Sequence, residues 1–147
     1  MRDLSTAQVT IGIGLLILSL VGCRRIGDGK VPHKENFEFF FKTELPQHIS
    51  FVNYSDSHSF CDAHFIWEIG PVDDAFLEKL RRQAKLVKWD DDKPVVAGLW
   101  GNNWPEWWDQ DHIYRLSEVY GRVDGKSHWY VWVDRKRNRV YLLQFNT

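Results

Sequence analysis

A tryptophan-rich stretch is the part of the sequence best suited to ligand chemistry. Leu99–Asp111 reads LWGNNWPEWWDQD, so four indoles lie among amides and carboxylates. Indole rings stack on the apolar faces of sugars while polar neighbours bond the hydroxyls, and the same composition suits a contact hot spot for a protein partner. The alternative is a lid over the core, because large aromatic side chains are mostly buried. The candidate binding surface comprises Trp100, Asn103, Trp104, Glu106, Trp107, Trp108 and Asp109.

Carboxylates in the same stretch raise the question of catalysis. Glu106 with Asp109 or Asp111 has the residue types of a glycosidase acid/base pair. Such pairs are common by chance, and the sequence has no Gly-rich phosphate loop, nucleophile elbow or HExxH motif. We therefore expect a non-catalytic protein without a cofactor, and a carboxylate-dependent hydrolase is the alternative.

Four potential metal ligands fall within nine positions. They are Asp56, His58, Asp62 and His64. Zinc sites take about four N, O or S ligands in a tetrahedron, and this spacing matches no standard zinc signature. We interpret the group as a solvated strand face beside a polar turn, with a metal-dependent hydrolase as the alternative. The neighbouring Cys61 alternates with apolar residues, which favours a small buried side chain over a nucleophile.

The N-terminal region has the pattern of an export signal. Ile11–Leu20 is a ten-residue apolar run, about half the roughly 20 residues that a membrane span needs, and it matches a secretory h-region. Leu20-Val21-Gly22-Cys23 follows directly. This tetrapeptide resembles the lipobox of bacterial lipoproteins. The resemblance implies cleavage before Cys23 and lipid on its sulfur and on the new amino terminus, and several acyl chains anchor a protein stably. An ordinary cleaved signal and an uncleaved anchor are the alternatives.

The same resemblance bears on localisation and domain organisation. Arg24 follows the cysteine, whereas an aspartate there often marks inner-membrane retention in this family, so we expect the outer membrane in a cell with two membranes. Residues 1–22 are assigned to the signal peptide, 23–36 to the lipidated cysteine and a polar tether, and 37–147 to a single domain. A formal net charge of −1 gives no case for nucleic-acid binding.

Hydrophobic periodicity predicts the elements of that domain. The segment Cys61–Ile69 alternates as a strand, and Asp74–Lys88 has helical spacing with Asp73 as its cap. Ile49–Tyr54 is predicted to be another strand, and Ser55–Phe60 a turn.

The C-terminal part reads as a meander of three strands. These are Val119–Val123, His128–Asp134 and Arg139–Phe145, with Asp124-Gly125 as a hairpin turn. The last strand is apolar on both faces, which predicts a central or covered position. The fold class is therefore α+β: an antiparallel sheet of about five strands, one long helix packed on it and a short N-terminal helix over the Phe37–Phe41 cluster.

Together these patterns predict a lipid-anchored protein of the bacterial cell envelope. Its expected role is to bind a protein partner or a cell-wall glycan through Leu99–Asp111. An inhibitor or immunity-type lipoprotein is the alternative, and it predicts tight protein binding by a rigid, protruding loop.

Overall fold

The computed structural model of the chain describes residues 33–58, 63–89 and 104–147. Its elements follow one another in this order: α1 (His33–Phe41), β1 (Ser50–His58), β2 (Ala63–Gly70), α2 (Asp74–Gln83), β3 (Val87–Lys88), α3 (Gln110–Ile113), β4 (Val119–Asp124), β5 (Ser127–Asp134) and β6 (Arg139–Asn146). The predicted α+β class with an antiparallel sheet is confirmed. Among the described residues, no helix is long and apolar enough to cross a membrane.

The strands form one six-stranded antiparallel sheet in the order β1-β2-β6-β5-β4-β3. The C-terminal strand β6 lies between β2 and β5, and Val140, Leu142 and Leu143 are all fully buried. This confirms the central position predicted from its apolar faces. The sixth strand is the two-residue β3 at the edge beyond β4.

One face of the sheet is covered by α1 and α2. Phe37 and Phe41, one helical turn apart on α1, are fully buried against Trp67 of β2. From α2, Leu77 and Leu80 join the same core cluster. The alternation predicted for β2 is present here, since Phe65, Trp67 and Ile69 all belong to this cluster.

The opposite face of the sheet is buried as well, by the described part of the tryptophan-rich stretch and by α3. Ile66, Trp132 and Tyr141 point to this side and pack with Trp108 and Ile113. The alternating sequence of β2 predicts that one face of the strand is exposed to solvent. That prediction is wrong at Ile66, which is fully buried because residues far along the chain cover it.

The helix α2 is shorter than the predicted Asp74–Lys88. It begins as expected, since the Asp73 carboxylate accepts the Phe76 N–H at 2.7 Å. It ends at Gln83 in a Schellman motif, with Lys85 at φ of 55°. The Lys85 N–H donates to the Arg82 carbonyl, and the Leu86 N–H donates to the Arg81 carbonyl. Lysine holds the left-handed position that glycine normally occupies, so the sequence carries no stop signal there. Val87, inside the predicted helix, begins β3 with an exposed side chain.

The hairpin turn predicted at Asp124-Gly125 is present, and a second turn precedes β6. Gly125 has φ of 60° between β4 and β5, and Asn138 has φ of 52° before β6. Asn138 also accepts the Val72 N–H through its side chain at 3.0 Å, which ties this turn to the segment after β2. The predicted turn over Ser55–Phe60 is wrong for its first four residues, because β1 continues to His58; the other two lie outside the described residues. An edge strand tolerates that polar composition.

Helix α1 is the predicted short N-terminal helix. It ends at Phe41, before Pro46, and it begins at His33, inside the segment predicted to be tether. His33 packs edge-on against Phe51 at 4.8 Å between ring centroids, so this residue belongs to the folded domain.

Candidate ligand-binding site

Trp108 is the centre of the second core cluster. Its side chain is 3% exposed, and its ring meets those of Trp132 and Tyr141 edge-on, each at 6.0 Å between centroids. The indole is therefore a core residue that holds the tryptophan-rich stretch on the sheet. The lid interpretation of this stretch describes Trp108 well.

Two other tryptophans flank Trp108 without being fully buried. Trp104 stacks nearly parallel on it, with 5.5 Å between centroids and 13° between the planes. Trp107 meets it edge-on at 5.7 Å. Both side chains are half-buried, so part of each ring is open to solvent while the rest is fixed by packing.

A depression opens beside the stacked pair, and we call it the Trp104 depression. Its lining residues are Trp104, Pro105, Glu106, Trp108, Asp109, Gln110 and Asp111. The three carboxylates are exposed and the glutamine amide is half-buried. The depression thus combines an aromatic wall with several hydrogen-bonding groups. Trp107 is not among its lining residues.

The short helix α3 fixes one side of this depression. Asp109 caps the helix, because its carboxylate accepts the His112 N–H at 3.0 Å. From the same turn, Nε2 of His112 lies 2.6 Å from Oδ2 of Asp134, the last residue of β5. Oδ1 of Asp134 accepts the N–H groups of Lys136 and Arg137, both at 3.1 Å. One buried carboxylate therefore joins α3, the end of β5 and the turn to β6.

The electrostatics of Asp134 follow from these contacts. Burial raises the pKa of its carboxyl, but the hydrogen bonds from His112 and from the Arg137 and Lys136 N–H groups outweigh burial, so the net pKa is below the ordinary value of 3.8. The ionised form is favoured. Nearby, burial raises the pKa of the Tyr141 hydroxyl, which a hydrogen bond with Arg137 partly offsets.

Tyr114, just after α3, sits over the same cluster. Its ring packs against that of Trp132 at 5.7 Å between centroids. Burial raises the pKa of the Tyr114 hydroxyl to about 12, and the neighbouring Trp108 side chain offsets only part of that rise. The Trp108 N–H and the Tyr114 hydroxyl are both buried, and neither has a well-formed hydrogen bond within the described segments.

The predicted binding surface is only partly within the described residues. Trp104, Glu106, Trp108 and Asp109 lie together at the depression. Trp107 packs behind them against Trp108. Trp100 and Asn103 lie outside the described residues, as does the predicted lipidation site Cys23.

The predicted metal ligands do not form a site among the described residues. Asp56 pairs across the strands with Phe65, and His64 directly precedes Phe65 on β2, so the side chains of Asp56 and His64 lie on opposite faces of the sheet. Asp56 accepts the Tyr54 hydroxyl at 2.9 Å. The side chain of His58, together with Cys61 and Asp62, lies outside the described part. Across residues 33–58, 63–89 and 104–147, no three His, Cys, Asp or Glu residues are grouped closely enough to hold a metal ion.

Sequence reasoning missed the His112–Asp134 pair. The two residues are 22 positions apart, on a four-residue helix and at a strand end. The only available signal was Asp134 before a turn, where aspartate side chains often accept backbone N–H groups. That signal predicts the turn contacts but not the histidine.

Comparison with protein-family models, with curated proteins and with solved structures gave no match.

Proposed function

We propose that this protein is a lipid-anchored binding module of the bacterial cell envelope, that it is non-catalytic, and that its ligand is a cell-wall glycan held at the Trp104 depression. The observation that carries the proposal is the half-buried Trp104 ring, stacked on buried Trp108 beside three exposed carboxylates and an amide. The anchor is the lipid on Cys23 that the lipobox resemblance implies.

The chemistry of the depression suits a sugar ring. A sugar presents an apolar face of C–H groups and a rim of hydroxyls, and these match a flat indole and a set of acceptors respectively. Glu106, Asp109 and Asp111 accept hydrogen bonds, and Gln110 can both donate and accept. Trp104 is also held in place before the ligand arrives, since its ring rests on a core residue, and this lowers the ordering cost of binding.

The same packing bears on the inhibitor alternative. An inhibitor of an attacking enzyme needs a rigid loop that projects from the domain. The stretch from Trp104 to Asp111 lies against the sheet through Trp108. Its packing supports a shallow glycan contact more than insertion into an enzyme cleft.

A second candidate function, glycoside hydrolysis, is favoured by one observation: Glu106 and Asp109 line the same depression. A glycosidase needs one carboxyl group that stays protonated near neutral pH, and burial is the usual means of raising its pKa. Both carboxylates are exposed here. The arrangement therefore supports binding of a glycan more strongly than its cleavage.

The binding test compares two tryptophans of the same stretch. Full-length lipidated protein in detergent is incubated with purified peptidoglycan sacculi, and the bound fraction is measured after sedimentation. Trp104→Ala should reduce binding about tenfold or more, as expected for a central aromatic contact worth at least 1.4 kcal/mol. Trp107→Ala is the matched control, because it also packs on Trp108 but does not line the depression. Equal binding by both variants would contradict the proposal.

The same incubation separates binding from hydrolysis. Release of soluble reducing sugars that Glu106→Gln abolishes would establish the hydrolase. Binding without release supports the module. If the protein does not bind sacculi but binds a single envelope protein, and Trp104→Ala abolishes that binding, the ligand is a protein and not a glycan.

The anchor has its own test. Metabolic labelling with a radioactive fatty acid should mark the wild-type protein, and Cys23→Ser should remove both the label and the sedimentation with membranes. If the unlabelled Cys23→Ser protein still sediments with membranes, lipid on Cys23 is not what holds the protein there.

A further inference from the structure

The outer surface of α1 carries an unusually exposed aromatic ring. Phe39 is 64% exposed, and it is the one aromatic residue among the large hydrophobic side chains that are exposed in the described segments. At 3.6 residues per turn it lies about 160° around the helix from the buried Phe37 and Phe41, so it points away from the core. An apolar ring in this position gains free energy from any apolar environment that covers it.

A cation accompanies the ring. The Lys42 ammonium lies 4.4 Å from the Phe39 centroid, at the end of α1. An aromatic ring beside a lysine is the combination found in segments that lie in the membrane interface, where the ring enters the headgroup region and the ammonium meets phosphate. The sequence between Cys23 and α1 adds Arg24, Arg25 and Lys30 against one carboxylate, Asp28. The excess of positive charge lies in this segment and favours an anionic surface, whereas on α1 the Lys34 ammonium is paired with the Glu38 carboxylate at 3.7 Å and Glu35 offsets Lys42.

The covalent chain limits how far α1 can be from a bilayer. Nine residues lie between Cys23 and His33, and the ten Cα-to-Cα steps that join the two reach about 35 Å at most when fully extended. If Cys23 carries lipid, α1 is the described element tied most closely to the membrane. Phe39 lies within two helical turns of His33.

The sheet places α1 and the Trp104 depression on opposite sides. Phe37 of α1 packs on Trp67, whereas Trp108 packs on Trp132 and Tyr141, whose side chains point to the other face. A bilayer against α1 would therefore leave the depression facing away from it.

We propose that Phe39 and Lys42 dock the outer surface of α1 on the anionic lipid bilayer that holds the Cys23 anchor, so that the Trp104 depression faces away from the membrane. This inference rests on the lipid anchor of the proposed function but not on the identity of the ligand. The glycan site would then be presented outward by a fixed orientation of the domain, not by free rotation on the tether.

The test measures which side of the domain lies near the lipid. Full-length lipidated protein carrying Cys61→Ser, to remove the other thiol, is given one cysteine for an NBD fluorophore. The position is either Glu35, one turn before Phe39 on α1, or Asp111 on the opposite face; both side chains are exposed. The proteins are reconstituted into vesicles of phosphatidylethanolamine and phosphatidylglycerol, with or without a doxyl-labelled phospholipid that quenches NBD at short range.

The Glu35→Cys label should be quenched at least about twofold more than the Asp111→Cys label, because interfacial docking buries the apolar face only about 5–10 Å deep. Adding Phe39→Ser should reduce that difference to near zero. Adding Val123→Ser, a matched change at an exposed valine on β4, should leave it unchanged.

Two outcomes overturn the inference, and they can be told apart. Vesicle-bound protein with equal quenching at both positions overturns the docking while the anchor stands. Protein that does not remain on the vesicles at all overturns the anchor and the docking together. Glycan binding in detergent is measured separately, so it is affected by neither result.

Discussion

Oδ2 of the buried Asp134 lies 2.6 Å from Nε2 of His112, and this contact fastens α3 to the end of β5. The same carboxylate closes the turn into β6 through two backbone N–H groups. Since Asp109, the N-cap of α3, lines the Trp104 depression, the shape of the candidate site depends on Asp134, which is not itself a lining residue.

Removal of the Asp134 carboxylate should destabilise the fold markedly. Asp134→Ala leaves three partly buried donors without their acceptor, and we expect the free energy of unfolding to fall by about 2–3 kcal/mol. Asp134→Asn should cost less, because its amide oxygen can still accept the turn N–H groups. Urea unfolding followed by far-UV circular dichroism measures both. Asp124→Asn, at a largely exposed side chain, is the control and should change stability by less than about 0.5 kcal/mol.

Acid should weaken the fold through the same residue. Because the pKa of Asp134 is lower in the folded state than its ordinary 3.8, the ionised carboxylate stabilises the fold above that pH, and the contribution is lost as the pH falls through the folded-state pKa. The pKa of Glu118 is also lowered, chiefly by its hydrogen bond with Arg135. Protonation of Glu118 at low pH therefore destabilises the fold as well. The Tm should therefore fall as the pH is lowered from neutrality to about 3.

Asp134→Asn should show a shallower decline of Tm over this range than the wild-type protein. Parallel curves for the two proteins would show that Asp134 does not contribute to the pH dependence.

The two neighbouring tryptophans should differ in their contribution to stability. Trp108 is almost fully buried, so Trp108→Ala should cost about 3–5 kcal/mol. Trp107 is half-buried and packs against one side of Trp108, so Trp107→Ala should cost less than half as much. Chemical unfolding of both variants checks the ranking. Equal losses would mean that Trp107 also belongs to the core, which would disqualify it as the control in the glycan experiment.

The end of α2 offers a stabilising substitution. Lys85 occupies a left-handed position with φ of 55°, which costs an ordinary residue about 1–2 kcal/mol. Glycine has no such cost but loses more entropy on folding, so Lys85→Gly should raise the free energy of unfolding by about 0.5–1 kcal/mol. Lys79→Gly, in the middle of the same helix, should lower it by about 1 kcal/mol. A loss at both positions would contradict the Schellman end of α2.

Local patterns predicted most of the elements, and long-range contacts explain the errors. The Asp73 cap and the turn glycine Gly125 each depend on residues a few positions away, and each is present. The early end of α2 was missed because Lys85 gives no signal that it adopts a left-handed conformation.

The second buried face was missed for a different reason. Ile66 reads as one apolar residue on a polar face of β2, and only the arrival of Trp108 from another part of the chain makes that face part of the core. The candidate site was predictable in composition, since Trp104, Glu106 and Asp109 do line one depression. Its support by His112 and Asp134 was not predictable, because nothing near either residue in sequence specifies the other.

The order of the strands has a consequence for how the molecule can assemble. β1 and β2 pair with each other early in the chain, but the remaining edge of β2 is completed by β6, whose residues come about 75 positions later. Until residues 139–146 are present, the first hairpin and the β4–β5 hairpin have no shared strand, and the apolar rows of both are uncovered. Formation of the sheet is therefore a closing step across a large loop, which is slow compared with local pairing. Among the described strands, the last one in sequence, β6, is the one that joins the two halves of the sheet.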